Sequence, residues 1–272
     1  MNELRTVTYD QQLSVEAYQF EGIKQKFPNH FHQFYVIGFI EKGKRFLSCK
    51  NKEYVIAPND LLLINPYDSH YCEQIDNTLL DYRSLHIEPA VMKTLCYWIT
   101  EKEQLPIFQQ TVIPRYRDIN DFKQLHKLIL SNKQSMEKEE AFYLFMGNLL
   151  QHYASFSDEK DEPSQNIQQA VLYIQQHFDQ PITLDFLSEL MSINKYSLIR
   201  QFTHFQGVTP HQYVTAIRIG EAKKLMEHQE NLSDIAMATG FSDQSHFTRA
   251  FKALIGVTPK QYMNSYIKEE ID

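Results

Sequence analysis

Between residues 30 and 90 the chain runs in short apolar stretches rich in Phe, Tyr, Ile, Val and Leu, each cut by a turn signal. The interruptions are EKGK at 41, KNK at 50, PND at 58, NPYDSH at 65 and DN at 76. Short strands broken this often predict an antiparallel sandwich or barrel. The period then changes. Ile119, Phe122, Leu125, Leu128 and Ile129 form one helical stripe, and Phe142, Phe145, Leu149 and Tyr153 form a second. Strands followed by helices make an α+β unit. The acidic, polar stretch SFSDEKDEPSQN at 155–166, interrupted by Pro163, reads as a linker. Beyond it the pattern is helical throughout, and Ile167, Val171, Ile174 and Phe178 mark a first helix that ends before Pro181.

A repeat organises this second half. GVTPHQY at 207–213 returns as GVTPKQY at 256–262, with His211 exchanged for Lys260. In the later copy, Leu232, Ile235 and Ala236 give the inner face of a short helix, with Ser233 as its expected N-cap. Gly240 supplies the positive φ that turns the chain, and Ser242 is placed to cap the next helix, whose inner face is Phe247 and Phe251. The earlier copy has Leu184, Leu187 and Leu190, a turn at Ser192, and a helix from Lys195 with Leu198, Phe202 and Phe205 inside. In both copies Gly (Gly207, Gly256) closes the helix and Thr-Pro opens another, with Pro at N1 where no N–H is needed. The copies are offset by 48 residues as far as Asn194/Ser242 and by 49 from Phe202/Phe251, so the later one carries an extra residue at its turn.

Two short helices joined by a tight turn, the second exposing a polar face, describe a helix-turn-helix, although scaffold αα-hairpins share the pattern. Two such units tied by one long helix, 210–228, could place two recognition helices about 34 Å apart in successive major grooves. The segment Ile235-Ala236-x3-Gly240-Phe241-Ser242-x2-Ser245-x-Phe247-x-Arg249-x-Phe251-Lys252-x3-Gly256-x-Thr258-Pro259-x2-Tyr262 closely resembles the signature of AraC/XylS-type transcriptional regulators. The resemblance covers roughly residues 165–267, and Arg218, Ala222, Leu225 and Met226 resemble that family's central linker helix. The first unit departs from the pattern at Ser188, where a small Ala is usual, and at Ser192, where Gly is common. In the first half, His30-x-His32, Tyr35, Gly43, Pro58-Asn59-Asp60 and NPYDSH ending at His70 resemble the cupin-type sensor barrel common in the family.

The resemblance implies an α+β chain. A cupin-like antiparallel β-barrel with packed helices (1–157) would be followed by a linker (158–166) and an all-α DNA-binding domain (167–268) with helix-turn-helix units near 184–205 and 232–255. It implies double-stranded DNA and a small-molecule effector as ligands and RNA polymerase as a partner. The stripes at 118–153 carry more apolar residues than covering one small barrel requires, so this helical region is expected to pair two protomers as a homodimer. No catalysis is expected.

A chain of 272 residues accommodates two ordinary domains. The net charge of −7 excludes a globally basic nucleic-acid binder, and from Ser164 onward nine Lys/Arg face eleven Asp/Glu. DNA affinity should therefore be modest and salt-sensitive. MNELRTVTYD has no apolar targeting core and no run is long enough to span a membrane, so a cytoplasmic protein with no membrane partner is expected. Cys49, Cys72 and Cys96 are odd in number with no CxxC, which favours buried reduced thiols.

On the first recognition helix, Lys195, Tyr196, Ile199, Arg200 and Thr203 are the candidate DNA contacts. Arg200 suits guanine O6/N7, and Tyr196 or Ile199 a thymine methyl. On the second, Gln244 suits adenine, His246 guanine, Arg249 guanine or phosphate, and Lys252 phosphate, with Ser245 beside them. His30, His32, Tyr35, His70, Tyr82 and His86 are the candidate effector contacts. Alternation sets His30, His32 and Phe34 on one strand face and Tyr82 with His86 on another, Arg83 pointing away. Each His also has a plainer reading as a hydrogen-bonded core residue.

Metal-bearing cupins follow HxH with a carboxylate, and here Tyr35 and Val36 stand at those positions. No metal and no cofactor is assigned. His30, His32 and His70 could hold zinc or form a hydrogen-bonded cluster without it. Three readings of the first half stay open: an effector sensor, a metal-dependent cupin enzyme fused to a DNA-targeting domain, and a domain that only dimerises or binds a protein.

Overall fold

The computed structural model describes residues 3–76, 78–101, 103–131, 133–156, 165–228 and 231–266. They fall into two compact units: Met1–Lys26, Gln33–Pro66 and Cys72–Asp158 in unit 1, and Phe27–His32, Tyr67–Tyr71 and Glu159–Asp272 in unit 2. The architecture is α+β, with antiparallel strands first and helices last. The strands are β1 (Leu4–Asp10), β2 (Val15–Ile23), β3 (Phe27–His30), β4 (Tyr35–Lys42), β5 (Arg45–Cys49), β6 (Lys52–Ile56), β7 (Leu61–Ile64), β8 (His70–Gln74) and β9 (Leu80–Ile87), with short β10 (Ile107–Phe108), β11 (Val112–Ile113) and β12 (Ala154–Ser155). Helices α1 (Pro89–Thr100), α2 (Ile119–Leu130) and α3 (Met136–Tyr153) complete unit 1.

Six strands form one sheet in the order β1-β2-β9-β4-β7-β11. The expected turns lie where the signals stand. Lys50 and Asn51 both take positive φ between β5 and β6, as a two-residue hairpin loop requires. At Gly43 φ is +86° and an added Cβ would fall 2.2 Å from the Leu79 carbonyl oxygen, so only glycine fits there.

The register fixes which residues share a face. Glu16 and Val36 lie opposite His86, Tyr18 and Gly38 opposite Ser84, and Phe20 and Ile40 opposite Tyr82. The alternate positions, Ala17, Tyr35, Ile37, Phe39, Leu85 and Ile87, turn to the other face and join the core made with the three helices. Ile119, Phe122, Leu125 and Ile129 from α2 and Phe142, Phe145 and Leu149 from α3 are buried there. The two stripes therefore cover the sheet. Helix α1, with Met92, Leu95 and Cys96 buried, lies in a segment to which the periodicity reading gave no element.

Several polar side chains are sealed into this unit, among them His126 and the pair Asp10 and Lys138. His126 of α2 donates from Nε2 to the Tyr18 carbonyl (3.0 Å), and burial holds its pKa down to about 4. Lys138 of α3 reaches Asp10, and both are almost fully buried. All three cysteines are free thiols. Cys49 and Cys96 are buried, and desolvation pushes the half-buried Cys72 up to about 12.

In unit 2 the helices are α4 (Gln165–Gln176), α5 (Leu184–Leu190), α6 (Lys195–Gln206), α7 (Pro210–Met226), α8 (Leu232–Ala238), α9 (Gln244–Ile255) and α10 (Pro259–Asn264). Their core is Ile167, Ala170, Ile174, Leu187, Leu198, Phe202, Tyr213 and Ile217 in the first half, joined by Phe31. Most of the expected linker, 157–164, lies outside the described residues. Of its ends, Ser155 sits in β12 paired with Ile107, and α4 already begins at Gln165. None of the described helices is long and apolar enough to cross a membrane.

Candidate nucleic-acid interface and sensor residues

The repeated string builds the same device twice. Thr209 and Thr258 each accept a hydrogen bond from the N3 backbone while the N3 glutamine, Gln212 or Gln261, bonds back to the cap, with proline at N1. Gly207 and Gly256, at φ +70° and +88°, end α6 and α9. Gly240 turns the second unit at φ +78°, and an added Cβ would meet the Asp179 carbonyl oxygen at 2.7 Å. Ser192 adopts the same left-handed region in the first unit, at φ 53°, although it is not glycine. Arg218 of α7 secures the arrangement by donating from Nε to the Phe178 carbonyl (2.7 Å) and from a terminal nitrogen to that of Gln180 (2.9 Å).

The caps differ from those expected. Asn231, not Ser233, caps α8 and accepts from the Ser233 N–H. Asp243, not Ser242, caps α9 and accepts from the His246 N–H at 2.8 Å. Asn231 stands two residues before Ser233 and Asp243 one residue after Ser242, and from the cap position each side-chain oxygen reaches a free N–H of the first turn. Asn194, cap of α6, therefore matches Asp243, and the extra residue falls in Phe241-Ser242. Through the recognition helices the offset is 49, which superposes Lys195 on Gln244 and Arg200 on Arg249. Pairing Asn194 with Ser242, one residue short of Asp243, hides that equivalence in the sequence.

Phe202, Phe247 and Phe251 are core residues, as read, but Leu190 and Phe205 are exposed rather than inward. The structure leaves Lys195, Tyr196, Arg200, Gln244, Ser245, His246, Arg249 and Lys252 exposed, and Ile199 just at the surface. Lys195 is engaged with Asp185 of α5. Thr203 departs from the set, because its hydroxyl oxygen is buried and has no hydrogen-bond partner among the described residues. Ile199 and His246 line one groove of about 300 Å³ together with Thr183, Val214, Arg218 and Phe241.

The six candidate effector residues divide into three places. His30, His32 and His70 meet, with ring centroids 4.6 Å (His30–His32), 4.4 Å (His30–His70) and 5.1 Å (His32–His70) apart. Burial, helped by the neighbouring His70, holds His30 down to about 3, so it is neutral at physiological pH. Tyr82 and His86 share the sheet face opposite the helices, and each keeps some accessible surface. The His86 ring is stacked between Tyr18 (3.9 Å) and Phe34 (4.7 Å), with Ser84 Oγ 3.3 Å from Nε2 and a Glu16 carboxylate oxygen 3.7 Å from Nδ1. Burial raises the Tyr82 hydroxyl, which lies where a side chain at Gly38 would sit. Tyr35 is not with them. It faces the helical core and donates to the Pro106 carbonyl at 2.9 Å, because one step along β4 reverses the face.

Comparison with known proteins finds a family model for each half of the chain. The family model described as an AraC-like ligand binding domain matches residues 12–146, and one described as a helix-turn-helix domain matches 187–265. YbfI, an HTH-type transcriptional regulator of Bacillus subtilis (strain 168), is 47% identical over 247 residues, covering 90% of each chain. The chain belongs to the AraC-type transcriptional regulators. The HTH-type transcriptional activator RhaS of Klebsiella pneumoniae (strain 342) is 26% identical over 244 residues, 86% of each chain. Among solved structures, an apo variant of ToxT from Vibrio cholerae shares the fold at 18% identity and a TM-score of 0.59, covering 93% of this chain and 98% of that one. ToxT with an unsaturated fatty acid bound has a TM-score of 0.55 at 18% identity, covering 99% and 96%.

For an AraC-type regulator, the sequence reading missed three of the groups around His86. Glu16 and Tyr18 lie on β2, before the first recognised motif, and only the β2–β9 register brings them to His86. Ser84 could have been found, since alternation on β9 places it between Tyr82 and His86 on the same face.

Proposed function

We propose that this DNA-binding regulator reads its operator through side chains on α6 and α9, and that a small organic effector on the Tyr82–His86 face of the sheet changes that binding. The DNA half rests on one observation: two helices of the same length, each capped by a carboxylate or amide and closed by glycine, expose matched arginines, Arg200 and Arg249. Arg200→Ala should relax discrimination in the half-site read by α6, and Gln244→Ala in that read by α9. Each removes about 1–3 kcal/mol if a bidentate base contact is lost. The check is competition between cognate and random duplexes. If both variants lose the two duplexes equally, these residues contact only the backbone.

The effector half is supported by the aromatic walls and convergent polar groups around His86, which suit a small organic molecule. That ToxT has been solved with an unsaturated fatty acid bound is in keeping with such a role for the shared fold. The non-catalytic reading is supported by the relatives, which are transcriptional regulators, and by the histidine group, which has no carboxylate in it among the described residues.

We also read residues 1–157 as the sensor half, 158–166 as the linker and 167–268 as the DNA-binding half of a cytoplasmic dimer that works with RNA polymerase. The stripes of α2 and α3 are used on the sheet, so the pairing surface falls to exposed Tyr97 and Trp98 on α1 and Met136, Tyr143 and Leu144 on α3. A compound that raises the melting temperature of the full chain should also change its DNA affinity, about 5–150-fold for a usual coupling. Sedimentation of the same samples should show a dimer. A monomer, or a stabilising compound without effect on DNA binding, overturns the corresponding half of this reading.

A further inference from the structure

His30, His32 and His70 come from two short segments of unit 2, and both segments fix their histidines by the same local device. His30 donates from Nδ1 to the carbonyl of Pro28 (2.6 Å), and His70 from Nδ1 to that of Asp68 (2.9 Å), each two residues back along the chain. With the proton committed to Nδ1, the Nε2 of each ring carries a lone pair. The His30 Nε2 lies 3.1 Å from Nε2 of His32, and one ring nitrogen from each of the three histidines lies within 4.8 Å of the others. One ring nitrogen of each histidine therefore converges on the same small space.

We propose that His30, His32 and His70 bind one zinc ion through their Nε2 atoms. Four-coordinate zinc holds its nitrogens at 2.0–2.1 Å, which sets them roughly 3.3 Å apart and the imidazole centres roughly 5 Å apart. The rings already stand at 4.4 to 5.1 Å, so small rotations complete the set. A backbone carbonyl on the second ring nitrogen is the usual outer partner of a zinc-bound histidine, fixing tautomer and ring orientation. Three neutral imidazoles without a thiolate suit zinc and leave the fourth position to water. His32 is only half-buried, which gives the ion a way in.

Occupancy has a structural consequence inside unit 2. Phe31, between two of the ligands, is 2% exposed and packs on Tyr213 of α7 (4.9 Å) and on Tyr67 (5.5 Å), and Asn29 donates to the Gly207 carbonyl at the end of α6. Zinc therefore pins the segment that seats Phe31 in the core beneath the first recognition helix, and it should stabilise the folded state by binding it selectively.

The test uses the untagged full-length protein, stripped with a chelator and dialysed against zinc, with cobalt as a spectroscopic substitute. One ion per chain is expected, with a raised melting temperature and the visible bands of a tetrahedral cobalt site. His32→Gln and His70→Gln should each weaken binding by more than the roughly 10–100-fold that losing an outer-shell partner costs. His32→Gln is the safer variant for folding, which far-UV circular dichroism checks. If it is misfolded, the wild-type cobalt spectrum decides by itself. Substoichiometric uptake by the wild type, a non-tetrahedral cobalt spectrum, or a folded His32→Gln that binds as the wild type does each overturns the proposal.

Discussion

Replacing Lys138 with methionine should lower the unfolding free energy of unit 1 by about 3–5 kcal/mol, the usual cost of stranding one member of a buried ion pair. Lys138 and Asp10 are 1% and 0% exposed, so water cannot take over when the partner is removed. Asp10 is doubly engaged. One carboxylate oxygen meets the Lys138 ammonium, and the other accepts the Leu13 N–H (2.9 Å) in the turn between β1 and β2. The pair thus ties the start of α3 to the edge hairpin of the six-stranded sheet, 128 residues away in sequence. Most of the loss is the cost of a buried carboxylate without its cation, so Asp10→Asn combined with Lys138→Met should recover a large part of it. The asparagine still accepts from Leu13 and carries no charge. Urea titrations of the wild type and these two variants measure this. A single-variant loss below about 1 kcal/mol would show that Asp10 is rehydrated or protonated at little cost.

The same pair shows where the sequence was opaque. The helical periods of α2 and α3, the strand breaks at Gly43, Lys50-Asn51 and Asn59, and the Thr-Pro caps are local signals, and each lies where the pattern put it, while α4 stops at Gln176, two residues short of Phe178. Asp10 and Lys138 sit in polar surroundings in sequence and become core residues only when distant elements pack. Propensity and period carry no trace of that. His126 is hidden in the same way, on the apolar side of α2 with its hydrogen bond made to another element. In the DNA-binding unit the repeat gave both helix pairs, while the cap positions slipped by one or two residues. Ser and Thr, Asn and Asp are all good caps, and the side chain that reaches the free N–H groups is chosen by the turn before it. For the sensor residues, alternation sorted Tyr82 and His86 onto one face. It could not exclude Tyr35, whose identity suits a pocket but whose register turns it toward the helices.

Raising monovalent salt from about 50 to 200 mM should weaken DNA binding by the full-length protein by about 10²-fold. The four cations on the recognition helices are Lys195, Arg200, Arg249 and Lys252. If each neutralises one phosphate, log K falls against log salt with a slope near −3.6. That is shallow for two helix-turn-helix units, and it follows from the composition: nine basic residues against eleven acidic from Ser164 on leave no further basic field to release counterions. Lys195 makes the argument testable in finer detail. Its ammonium is engaged with Asp185, so on binding DNA it must leave a carboxylate for a phosphate, or stay and contribute nothing. Asp185→Asn removes the competitor and should tighten binding at low salt, and it should steepen the slope toward −3.6 if the wild type shows only about −2.7. The substitution lies at an exposed position in the first turn of α5, where losing a negative charge costs the helix only a few tenths of a kcal/mol. Fluorescence anisotropy across a salt series reads both slopes. An affinity that does not change with salt would mean that phosphates are not contacted by these side chains, and the placement of α6 and α9 on DNA would then be wrong.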